Sequence, residues 1–168
     1  MLSPELTVDK IRRYQDDYPV DVAGLAGALG ISMRYEAMPE NISGKIELDW
    51  LDEPVITVNK THPRSRQRFT IAHEIAHFVL HRDLIGDGII DNALYRDDRI
   101  GDARERQANR YAASLLMPMS LVKKAWRDGI RSAPGLASAF GVSPAVADIR
   151  WRELGCVLWQ DAEEELPF

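Results

Sequence analysis

"RFTIAHEIAHFVLH", residues 68 to 81, sets two histidines and a glutamate into an otherwise apolar run. At the helical repeat, Phe69, Ala72, His73, Ala76, His77 and Leu80 fall on one stripe, so the stretch predicts a helix with both histidines turned to the core. Ionisable groups resist burial unless something offsets their desolvation. Two readings compete: core histidines satisfied by local hydrogen bonds, or imidazoles one turn apart that present nitrogens to one ion. The His-Glu-x-x-His spacing favours the second, because it is a zinc signature in which the glutamate stands beside the ion as general base. His73 and His77 are therefore candidate ligands, and Glu74 is the candidate catalytic residue.

Two histidines do not close a catalytic zinc site, which takes three protein ligands and a water. "ARERQANRYAASLLMP", residues 103 to 118, offers the third. On a helix Glu105, Asn109, Ala112 and Leu116 share a face, flanked by Ala108 and Ala113, and small residues let such a helix approach the first one closely. Taken alone, Glu105 would as readily pair with Arg104 or Arg106 on a solvated face. The asparagine one turn later and the alanine stripe shift the reading to a ligand, with Asn109 placed to orient a ligand imidazole by hydrogen bonding.

With "RQRFTIAHEIAHFVLH" followed after a spacer by "ERQANRYAASLLMP", and preceded by "PVDVAGLAGALGI" and a strand ending in Asn59, the chain resembles the ImmA/IrrE family of bacterial and phage metallopeptidases. The resemblance runs from Pro19 to about Gly155. It implies that His73 and His77 ligate zinc, that Glu105 is the third ligand in a gluzincin-like arrangement, and that Glu74 is the catalytic base. It also implies a site-specific endopeptidase that cleaves a helix-turn-helix (Xre-type) repressor or antitoxin and so changes gene expression. Some members look like components of toxin–antitoxin pairs. The implied chemistry is metal-assisted peptide hydrolysis, with Glu74 taking a proton from the attacking water and returning it to the leaving amine. Other divalent ions suit the same donors. The residue that stabilises the oxyanion is not named by any motif: Tyr95, Tyr111, His62 and Arg68 are each more often structural. His81, one turn after His77, reads as a helix-terminal residue favoured by the dipole.

Outward from these motifs the chain is α+β. Leu6, Ile11 and Tyr14 fit an amphipathic helix ending before Pro19, Asp21 suits the cap of a short second helix, and Gly30 suits the position past its end. "ISMRYEAM" and "GKIELDWLDEPVITVN" read as three strands with a turn at Asp52, Glu53 and Pro54, which predicts a small antiparallel sheet. The aspartate-rich stretch from Asp83 to Gly101 reads as an irregular loop at the cleft edge, and its spacing does not match a calcium loop. The expected organisation is a zincin-like metallopeptidase core over 1–128, a helix-turn-helix-like appendage packed on it over 129–160, and an acidic tail over 161–168.

That appendage raises a different function. "LASAFGVSPAVADIRWRELG", residues 136 to 155, has the small residue Ala137 four before Gly141, as a helix-turn-helix does. Its second helix, however, sets Arg150 and Arg152 against Asp148 and Glu153 and lacks a run of side chains that read base edges. With 21 Lys and Arg against 26 Asp and Glu, a net charge of −5, the chain also has no global positive field for a nucleic acid. The reading goes against DNA binding. A single cysteine, Cys156, excludes an internal disulfide, and no signal peptide or membrane span is evident, so the expected compartment is the cytoplasm. The alternative to a peptidase is a toxin held by an antitoxin, or a sensor or DNA-binding regulator, in which the metal site is structural. Such a site has no need of Glu74.

Overall fold

The structure, a computed structural model, describes residues 4–87, 89–92 and 99–153; the acidic tail, Cys156 and Tyr95 lie outside the described residues. Helix α1 (Pro4–Arg13) and the short α2 (Val22–Ala28) lead into the sheet. As its sequence predicts, α2 begins at Asp21, whose carboxylate accepts from Gly24 N at 3.0 Å, and it gives way to Gly30 at φ +80°.

Strands β1 (Ser32–Glu36), β2 (Ile42–Leu48), β3 (Pro54–Asn59) and β4 (Ile89–Asn92) form a sheet in the order β1-β3-β2-β4. β2 and β3 pair antiparallel, with Ile46 opposite Ile56, across a turn where Asp49 accepts from Leu51 N and Glu53 N. The sheet is nevertheless mixed, not antiparallel, because β1 pairs parallel with β3. The segment leaving β1 crosses the end of β3 to begin β2, and Asn59 holds it there. The Asn59 amide donates to the carbonyls of Met38, Pro39 and Ile42 at 3.1, 3.2 and 2.9 Å, while its Oδ1 accepts from Met38 N and Thr61. One fully buried side chain thus satisfies backbone groups that a crossing strand connection would otherwise leave orphaned. β4 lies inside the stretch whose sequence reads as irregular; at four residues it is too short to show an alternating pattern.

Helix α3 (Arg64–Leu80) crosses this sheet and is covered on its other side by α4 (Arg99–Leu116). Between the two, every residue from Thr70 to Phe78 is buried, while Phe69 and Leu80 are only half-buried. The helix is therefore enclosed all round in its middle instead of presenting one inward stripe, and Glu74, which lies off the histidine stripe, is buried with it. On α4 the buried stripe is Ala108, Ala112, Leu115 and Leu116, and α3, which packs against it, carries the equally buried Ala72 and Ala76. Asn109 lies at the exposed margin of that contact.

Gly44 of β2 sets how closely α3 lies on the sheet. A Cβ there would stand 2.5 Å from Thr70 Cγ2 and 2.7 Å from the Thr57 carbonyl oxygen. The carbonyl belongs to the central strand and has no room to yield. Gly44→Ala should destabilise the protein by about 1–3 kcal/mol, the usual cost of overpacking. Urea denaturation checks this, and an unchanged midpoint would show that the helix has slack against the sheet.

Helices α5 (Met119–Arg127), α6 (Ala133–Phe140) and α7 (residues 144–153) complete the described chain, with Gly141 at φ +61° between the last two. Leu136, Ala137, Phe140 and Ala147 join the main hydrophobic core. Arg68 of α3 donates to the carbonyls of Val20, Phe140 and Gly141 at 2.9, 3.3 and 3.2 Å, tying both flanks of the chain to the start of the histidine helix.

Candidate metal centre

Packing of α3 against α4 brings together three residues that the sequence separates by up to 32 positions. His73 and His77 present their Nε2 atoms to each other at 3.0 Å. Glu105 reaches them from α4, Oε2 at 3.2 Å from His73 Nε2 and Oε1 at 3.3 Å from His77 Nε2. Among the described residues, these three form the group able to hold a metal ion. Both histidines are buried, and the Glu105 side chain is about one-third exposed, which leaves the centre a solvent-facing side.

These distances test whether an ion fits. With metal–ligand bonds of about 2.0–2.1 Å, the ligand atoms of a tetrahedral zinc site lie about 3.3 Å apart. The contacts of 3.0 to 3.3 Å match that edge. The tautomer of His73 agrees. Its Nδ1 faces Asn109 Oδ1 at 3.0 Å; a carbonyl oxygen accepts, so Nδ1 carries the hydrogen and Nε2 offers its lone pair to the centre. Asn109, read from the sequence as orienting a ligand imidazole, is placed to do so.

Glu74 follows His73 directly and is fully buried. It does not belong to the group of three. His81 caps α3 through its backbone N–H to His77 O, and its ring meets His77 Nδ1 at 3.1 Å. Gln107 of α4 meets His81 Nε2 at 3.1 Å. The sequence reading assigned neither His81 nor Gln107 to the site. The only signal for His81 was its spacing, four residues after a ligand on the same helix face. His62 and Arg68, considered as oxyanion donors, are engaged elsewhere: His62 Nε2 with the Glu40 carbonyl at 3.0 Å, and Arg68 with the three carbonyls above. Tyr111 is half-buried, and burial pushes its hydroxyl pKa up.

The electrostatics suit cation binding at neutral pH. Burial holds the pKa of His77 below its ordinary 6.5, outweighing the carboxylate of Glu105 that pulls it up, so the ring stays neutral. Burial pushes Glu105 up, but its contacts with His73 and His77 outweigh this and hold it well below the carboxylate range, so it is ionised. Both groups bind protons less readily folded than unfolded. Metal-free protein should therefore keep its full stability above about pH 6.5, the unfolded His value, and lose it as pH falls below. Thermal midpoints measured in chelator from pH 7.5 down to 5 check the sign; a midpoint that rises on acidification would contradict it.

A His-Glu-x-x-His helix closed by a carboxylate from a second helix is a donor set of the metallopeptidase class. Residues 26–152 match the family described as the IrrE N-terminal-like domain, and the chain belongs to that metallopeptidase family. It is 43% identical over 71 residues to the Radiation response metalloprotease IrrE of Deinococcus deserti, a match covering 40% of this chain and 24% of that protein. Against the protein of the same name from Deinococcus radiodurans it is 35% identical over 106 residues, covering 58% and 28%. The matches thus span about a quarter of the length of these relatives. A Mycobacterium tuberculosis transcriptional regulator has a similar fold, with a TM-score of 0.56 at 20% identity over 85% of this chain and 45% of that one. At that identity the likeness concerns the fold alone.

Proposed function

We propose that the protein is a zinc-dependent endopeptidase acting at one site in a regulatory protein, a helix-turn-helix repressor or its antitoxin equivalent, in the cytoplasm. The observation that carries this reading is the convergence of His73, His77 and Glu105 at the edge lengths of a tetrahedral site, with Glu74, the residue after His73, fully buried. A structural site would need the three donors but not Glu74.

The ion would be held by His73 Nε2, His77 Nε2 and the Glu105 carboxylate, and when bound it would supply Lewis acidity for an attacking water and for the scissile carbonyl. Glu74 takes the proton of that water and passes it to the amine that leaves. Asn109 keeps the His73 ring in register. The burial of α3 limits water around these groups, which strengthens each electrostatic interaction. Among the described residues no helix is long and apolar enough to cross a membrane. Arg150 pairs with Glu153 and with the Met117 carbonyl, and Arg152 pairs with Asp148, which favours a packing role for α7 over one in reading DNA.

The test incubates zinc-loaded protein with the purified helix-turn-helix regulator encoded beside it and reads products by intact-mass spectrometry. A single cut supports the proposal and locates the scissile bond. A stable complex with no cut, in protein shown to hold zinc, would replace it with a sequestered toxin or sensor.

A further inference from the structure

A neutral imidazole has one N–H and one lone pair, and only the lone pair binds a cation, so each ligand ring must be held in one tautomer. For His73 the Asn109 carbonyl sets it. For His77 the partner is a third imidazole: His77 Nδ1 and His81 Nδ1 are 3.1 Å apart, a hydrogen bond only if one donates and the other accepts. The far side of His81 decides which. His81 Nε2 faces Gln107 Oε1 at 3.1 Å, and an amide oxygen can only accept. Nε2 of His81 therefore carries the hydrogen, its Nδ1 carries the lone pair, and His77 donates through Nδ1. With a cation at the centre, that leaves the Nε2 lone pair of His77 to bind it, 3.0 Å from His73 Nε2 and 3.3 Å from Glu105 Oε1; without one, the same atom would meet those two acceptors only as a donor.

We propose that His81 is a positioning residue, which through the chain Gln107–His81–His77 holds the second metal ligand in its Nδ1–H tautomer. The inference rests on the metal-site reading given above. His81 does not itself touch the ion. It is buried; its backbone closes the last turn of α3, and its ring meets His77 through Nδ1 and Gln107 of α4 through Nε2. Helix α4 thus supplies one ligand and both tautomer-setting carboxamides from alternate positions, Glu105, Gln107 and Asn109. The two histidines of the motif are fixed by different means: one directly by a carboxamide, the other through an intervening ring.

The test uses wild type, His81→Leu, His81→Asn and Gln107→Leu, each zinc-loaded and labelled with nitrogen-15 at histidine. The tautomers of His77 and His81 are read from two-bond nitrogen–proton couplings, the protection of the His77 Nδ1 proton by its exchange with water, and zinc affinity by titration against a chromogenic chelator. The expected result in wild type is an Nε2–H His81 beside an Nδ1–H His77 whose proton exchanges slowly, with faster exchange in His81→Leu. Zinc binding in His81→Leu should weaken about 10–100-fold, the usual loss when the residue behind a ligand is removed. His81→Asn should keep both properties close to wild type, because an Asn Oδ1 can accept where the imidazole Nδ1 did. A purely structural role would lower the thermal midpoint without speeding that exchange, and asparagine would not restore it. Wild-type zinc affinity in folded His81→Leu, or an Nδ1–H His81 in the zinc-loaded wild type, would overturn the relay. Should His81→Leu not fold, Gln107→Leu carries the test, since Gln107 is exposed; it should release His81 from its Nε2–H form and weaken zinc binding. A wild type that takes up no zinc would sink the metal reading, whereas zinc uptake with an Nδ1–H His81 would overturn the relay alone.

Discussion

Glu74→Gln should leave the protein folded and loaded with metal while slowing the proposed peptide hydrolysis by about 10²–10⁴-fold, the range that general acid–base catalysis supplies. The expectation follows from where Glu74 sits. It is fully buried on α3, beside the ligand His73 but outside the group of donors, so its charge is not needed to hold an ion. Glutamine keeps its shape and removes a carboxylate that is costly to bury, and the thermal midpoint should hold or rise. The check is the rate of appearance of the cleaved fragment, with metal content measured on the same preparations. Cleavage at the wild-type rate would remove Glu74 from the mechanism. A variant that has lost its metal would show that Glu74 supports the site and does not serve it as base.

Glu105→Ala should abolish tight metal binding, with an affinity loss on the order of 10³-fold or more, beyond what residues behind the ligands cost. Wild type in zinc at about 100 times its dissociation constant gains about 2.7 kcal/mol of stability, which raises the melting point of a chain this size by roughly 5–10 °C. Glu105→Ala should gain almost none. Calorimetric scans of both proteins with and without zinc make the comparison. The competing reading is a surface ion pair: Glu105 is about one-third exposed, and an exposed pair contributes about 1 kcal/mol or less. Under that reading the variant would show the full zinc-dependent rise, and the site would need another ligand.

Local rules account for much of what the sequence disclosed. The helical period over residues 68–81 predicts α3 and sets His73 and His77 on one face, because i and i+4 lie one turn apart whatever the rest of the chain does. Asp21 and Gly30 mark the ends of α2 for equally local reasons, a side-chain acceptor at one end and a backbone conformation at the other. The β2–β3 hairpin is legible from its turn residues. Strand partners are another matter, since a strand does not encode which neighbour it pairs with. The parallel placement of β1 depends on a crossing segment held by Asn59, three of whose partner residues, Met38, Pro39 and Ile42, are 17 to 21 positions away along the chain.

The sequence by itself determined the donor types, the spacing of two candidate ligands and the position of the candidate base, since a single helix turn contains all three. The candidate third ligand was legible only as a residue on a second amphipathic helix. Tertiary structure decided that α4 packs on α3 closely enough for Glu105 to stand 3.2 and 3.3 Å from the two imidazoles. It also decided the burial of Glu74 and the direction in which each ring turns its lone pair. Those properties depend on what lies across a helix face. His81 looks like a helix terminus until Gln107, from 26 residues further along the chain, fixes which of its nitrogens carries the hydrogen.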